Sequence, residues 1–146
     1  MGIKFNPFTG QFDLVDSSTT NITGSDSSTE SGLVCDSSVS VGDAVRLNGA
    51  GTLIRANAVS GLTTGNFIGI ATAKATATSC TVMFSGLTSA IFSGLVENQN
   101  YYLSEVTPGA LSTTPPTTSG SLVVIVGQAF SSTRMVIRKQ LIALRA

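Results

Sequence analysis

Leu122-Val123-Val124-Ile125-Val126 is an unbroken apolar run of mostly β-branched residues. Side chains alternate between the two faces of a strand, so a half-buried strand alternates apolar with polar residues. A run without that alternation reads as a strand covered by protein on both faces. Residues 121–130 around it are therefore expected to lie in the middle of the fold. Residues 134–138 form a second strand candidate, and the intervening Ser131-Ser132-Thr133 is short enough for a hairpin. Upstream, residues 43–47 alternate and end in Asn48-Gly49-Ala50-Gly51, followed by Thr52-Leu53-Ile54-Arg55. Asn-Gly between two such stretches is the strongest short-range hairpin signal. Residues 67–72, 80–85 and 101–103 are further strand candidates, and Pro115-Pro116 falls in a polar loop where it breaks no ladder.

Composition agrees with strands. The 146 residues are 42% hydrophobic and only 11% charged, against about a quarter charged in ordinary soluble domains. Ser, Thr, Gly, Ala and Val fill the difference, where long helices would need Glu, Lys, Leu and Gln. The expected fold class is all-β, a small antiparallel β-barrel or sandwich with an extended N-terminal arm. An uncharged surface suits either a plain β domain or one covered by neighbouring subunits, since interface cores are depleted of charge.

The β region carries an internal repeat. Val45-Arg46-Leu47 matches Tyr101-Tyr102-Leu103, and Gly51-Thr52-Leu53 matches Gly109-Ala110-Leu111. Gly69-Ile70-Ala71 matches Gly127-Gln128-Ala129, and Thr81-Val82-Met83-Phe84 matches Arg134-Met135-Val136-Ile137. One supersecondary unit used twice would let each half bury its apolar face against the other. Two pseudo-repeated halves are the expected result.

Residues 1–32 have a different character and form the expected arm, with residues 33–146 as the β domain. Three of the seven phenylalanines lie in the first twelve residues, around the turn signals Asn6-Pro7 and Thr9-Gly10. A tight turn there presents Phe5, Phe8 and Phe12 on a knob too short to bury three rings. They need a surface, either this protein's own body or another protein's. Residues 16–32 are Ser/Thr-rich without an apolar period, and a free chain of that kind buries too little to offset its conformational entropy. The charges are segregated too. Asp13, Asp16, Asp26, Glu30, Asp36 and Asp43 precede residue 45 with only Lys4 opposing them, while seven cations and two acids follow. An acidic arm on a basic body is suited to docking against a neighbouring body.

Chemistry is poorly provided for. The chain has no histidine, which removes the commonest general base, the Ser/His/Asp and Cys/His systems and the usual zinc ligands. Glu97 and Glu105 form no recognisable acid pair, no phosphate-binding Gly-Lys loop occurs, and Asp13, Asp16 and Asp26 lack the spacing of a calcium loop. No enzymatic activity, cofactor or metal is expected. Scattered cations make a poor nucleic-acid footprint, and no apolar run of about 20 residues suggests a membrane span. The opening lacks a signal-peptide pattern, so cytosolic synthesis and two buried free thiols, Cys35 and Cys80, are expected. Tyr101-Tyr102 would suit a carbohydrate platform with at most one ring, because neighbours on a strand face opposite ways.

The segment Ile3-Lys4-Phe5-Asn6-Pro7-Phe8-Thr9-Gly10-Gln11-Phe12-Asp13-Leu14-Val15 resembles the opening of many phage fibre and other virion proteins, in which such a stretch precedes a variable body. The resemblance implies that Phe5, Asn6, Pro7, Phe8, Gly10, Phe12 and Asp13 anchor the chain to a particle. Residues 39–138 more loosely resemble small β modules of phage capsid decoration (cement) proteins and fibres. The matching positions are residues 42–47, 51–53, 68–71, 101–104, 108–111 and 126–129. Together these imply a non-enzymatic virion structural protein assembled in the host cytoplasm, partnered by the major capsid protein or a tail or baseplate protein. They also imply a homotrimer. A capsid decoration role and a tail fibre or baseplate role both stand.

Overall fold

The computed structural model describes residues 2–6, 11–15, 28–59 and 66–146, and no helix occurs among them. The strands are β1 (Gly2–Asn6), β2 (Gln11–Val15), β3 (Ser28–Val34), β4 (Ala44–Leu47), β5 (Leu53–Arg55), β6 (Gly69–Thr76), β7 (Ser79–Leu87), β8 (Asn100–Leu103), β9 (Leu111–Ser112), β10 (Leu122–Ala129) and β11 (Met135–Leu144). β1 and β2 pair with each other as a two-stranded sheet. The other nine form one antiparallel sheet in the order β5-β4-β6-β7-β11-β10-β8-β9, with β3 added on β7. It curves into a half-barrel.

That order reads the same from both ends. β5-β4-β6-β7 and β9-β8-β10-β11 have identical connectivity and meet at the β7–β11 pair, where Val136 opposes Leu87 and Ile137 opposes Gly86. The registers repeat residue for residue. Val45 opposes Gly69 as Tyr101 opposes Gly127. Leu47 opposes Leu53 as Leu103 opposes Leu111. Ala71 opposes Val82 as Ala129 opposes Met135.

Even the turns correspond. Before β4, the Gly42 N–H donates to the Ala71 carbonyl and Asp43 N–H to the Ser40 carbonyl. Before β8, Asn98 N–H donates to Ala129 and Gln99 N–H to Val96. Both turns require positive φ, 95° at Gly42 and 64° at Asn98. Asparagine tolerates that region better than other residues with a Cβ.

The two halves share the main core. Phe67, Ile70 and Met83 from the first half pack in one cluster with Leu103, Val124, Val126, Met135 and Ile137 from the second. Burying a side chain the size of Phe67 fully contributes about 1.5–3 kcal/mol, so the halves stabilise each other. A second cluster of Cys35, Val39, Val45, Leu53, Ala71, Cys80 and Val82 contains inward-facing residues of the first half. Lys74 Nζ pins the segment that carries Val39 by donating to the carbonyls of Ser37 (2.8 Å) and Val39 (2.5 Å). β10 is buried along almost its whole length, from Leu122 to Val126 without interruption, as its apolar run requires.

Two features depart from the sequence reading. Residues 28–32, read there as part of the linker, belong to β3 and pair with β7, with Ser28 opposite Ser85 and Glu30 opposite Val82. A ladder of backbone hydrogen bonds along β7 holds this polar segment, so it needs no apolar period of its own. The last strand also runs to Leu144 rather than ending at residue 138. Ser28 takes the place on β7 that would follow Ile137 in the β11 register, so β11 leaves β7 there. It continues along β10, where Gln140 opposes Ile125 and Leu144 opposes Leu122.

Candidate functional site

The N-terminal hairpin places the candidate anchor residues in register. Phe5 opposes Phe12, Asn6 opposes Gln11 and Lys4 opposes Asp13. Phe5, Asn6, Phe12 and Asp13 thus lie at the closed end of one hairpin, beside the connection. Pro7, Phe8 and Gly10 fall outside the described residues. A two-stranded hairpin is at best marginally stable by itself in water, which strengthens the argument that this segment needs a surface.

Among the described residues no group of three His, Cys, Asp or Glu side chains is placed to hold a metal ion. Cys35 and Cys80 are free and buried. Burial pushes the Cys80 thiol up to about 11, with the neighbouring Cys35 thiol adding to the rise. A thiol so raised is a poor nucleophile, because the thiolate is the reactive form.

Glu105 is engaged structurally. Its carboxylate accepts the backbone N–H groups of Thr118 (3.1 Å) and Thr117 (3.1 Å to Oε2), fastening the Pro115-Pro116 loop. The Thr118 N–H, followed by that of Thr117, holds its pKa below the ordinary glutamate value of 4.5. A depressed carboxylate pKa contributes stability present above the unfolded value and lost as pH falls through the folded one. Loop order is therefore expected to be constant above pH 4.5 and to decline below it. Glu105→Gln should flatten that acid dependence, as followed by amide hydrogen exchange of Thr117 and Thr118 between pH 3 and 6. An unchanged profile in the variant would show that Glu105 does not hold the loop.

Tyr101 and Tyr102 are separated by the pleat. Tyr101 is buried in the main core, and its hydroxyl accepts the Val96 N–H (3.0 Å). Tyr102 is half-buried between Ile125 of β10 and Ser112 of β9. One partly exposed ring is what remains for a carbohydrate.

The surface is more informative at the end of β11. From Arg138 to Ala146 every residue is exposed, including Leu141 (56%), Ile142 (50%) and Leu144 (57%). The sequence signals this region only by an apolar run after Lys139 that is costly to leave in water. Nothing in the sequence marks β3, whose exposed residues include Glu30 and Val34.

No family model, curated protein or solved structure matches this chain.

Proposed function

We propose that the chain is a non-enzymatic structural protein of a phage particle, a decoration protein that stabilises the capsid and is anchored by its N-terminal hairpin. The observation that carries the reading is the opening segment. Its sequence resembles virion anchor segments, and its backbone forms a hairpin with Phe5 directly opposite Phe12. Aromatic anchors of this kind dominate binding when they enter a pocket on a partner. The body supports the role in a second way. Among the described residues it is one pseudo-symmetric β unit, and its low charge suits a protein packed among others.

A tail fibre or baseplate component is the second reading, favoured by the kind of protein in which the opening segment is usually found. Both readings require the hairpin. Particles assembled with a Phe5→Ala/Phe12→Ala variant should carry less than about a tenth of the normal amount of this protein, since losing two anchor residues costs upwards of about 2 kcal/mol each. Quantitative mass spectrometry of purified particles measures it. Normal occupancy of the variant would reject the anchor under either reading.

A further inference from the structure

The end of β11 runs along β10 as an edge strand of the body. β7 pairs with β11 only at Val136 and Ile137, and beyond them no described strand lies against that edge. Residues 138–144 are exposed, with neither face covered. They carry Leu141, Ile142 and Leu144 together with Arg138 and Lys139, and Arg145 follows. A long edge strand with uncovered apolar residues is a ready template for another chain. The same molecule displays a second free edge. β3 pairs on one side with β7, its other side pairs with no described strand, and it carries Glu30 and the exposed Val34.

We propose that residues 138–144 are a subunit interface that receives the β3 edge of a second copy of this chain. Charge selects this occupant. Two β11 ends brought together would gather Arg138, Lys139 and Arg145 of both copies with no acidic residue in residues 138–146, and like charge on both sides of an interface disfavours that arrangement. β3 instead presents Glu30 and is preceded in the sequence by Asp26, Asp16 and Asp13 without an intervening cation. Length agrees as well, because β3 and residues 138–144 of β11 are each seven residues long. The register shift in β3 between Glu30 and Leu33, with Gly32 at φ 72°, divides the contact into two short ladders around a bulge. Such a contact joins unlike surfaces, so successive copies close into a ring when the rotation allows it. The inference does not depend on which part of a particle the hairpin contacts.

The test is the association state of the full-length protein, by sedimentation velocity over a concentration series. The wild type should self-associate. Leu141→Asp and Leu144→Asp should each yield monomer, with an unchanged far-UV circular dichroism spectrum showing that the body is folded. Lys139→Glu and Glu30→Lys should each weaken association several-fold, and the Lys139→Glu/Glu30→Lys double variant should recover most of it. A monomeric wild type would overturn the proposal, as would association that survives both aspartate substitutions. Failure of the double variant to recover would overturn β3 as the occupant.

Discussion

Gly127→Val is expected to lower the unfolding free energy by about 3 kcal/mol or more, the upper range for forcing atoms into a packed interior. A Cβ at Gly127 would fall on the Val136 carbonyl oxygen of the neighbouring strand and within 3.1 Å of the Met135 side chain. The obstacle is backbone, so a rotamer change cannot relieve it. Gly69 occupies the equivalent place in the first half, where a Cβ would lie 2.5 Å from the Met83 carbonyl oxygen and 2.6 Å from Val82 Cγ1. The repeat therefore has a steric reason for a glycine at both positions. Gly69→Val should be destabilising to a similar degree. Gly49→Ala is the control, because nothing lies within 4 Å of its added Cβ. Urea unfolding at equilibrium checks all three. Wild-type stability in Gly127→Val would mean that β10 and β11 do not approach as closely as described.

Deleting residues 1–15 is expected to separate attachment from folding. β1 and β2 form their own two-stranded sheet and contribute no strand to the nine-stranded one. Among the described residues, both apolar clusters of the body are made of residues from Leu33 onward. The truncated chain should therefore unfold within about 0.5 kcal/mol of the intact one, as surface changes usually do. Its binding to particles should fall by more than about tenfold, because the aromatic anchors are gone. If the truncated body unfolds instead, the hairpin is part of the body's own support and the anchor reading fails.

Much of the body was legible because its signals are local. Asn48-Gly49 marks the β4–β5 turn, where the Asn48 side-chain oxygen accepts the N–H groups of Ala50 (3.0 Å) and Thr52 (2.9 Å). The apolar run of β10 marks a buried strand. The short motif matches between the halves became paired registers, since equivalent residues meet equivalent partners. β3 was not legible, because Ser28, Thr29, Glu30 and Ser31 owe their place to the free edge of β7 rather than to their own side chains. The length of β11 was hidden for a related reason. Its last residues follow β10 after Ser28 has taken their place on β7, and that is a tertiary exchange with no local signature. Within the candidate site, the aromatic residues were conspicuous from composition, but their pairing as a hairpin follows only from the register.

The most direct test of the central proposal is a cryo-electron microscopy reconstruction of the intact particle with icosahedral and tail maps refined separately. The decoration reading predicts many copies of the half-barrel body at symmetry-related sites on the shell, with the N-terminal hairpin in contact with a capsid protein. Density for the body only at the tail, in a few copies, would contradict capsid decoration. Its absence from the particle altogether would contradict the virion role.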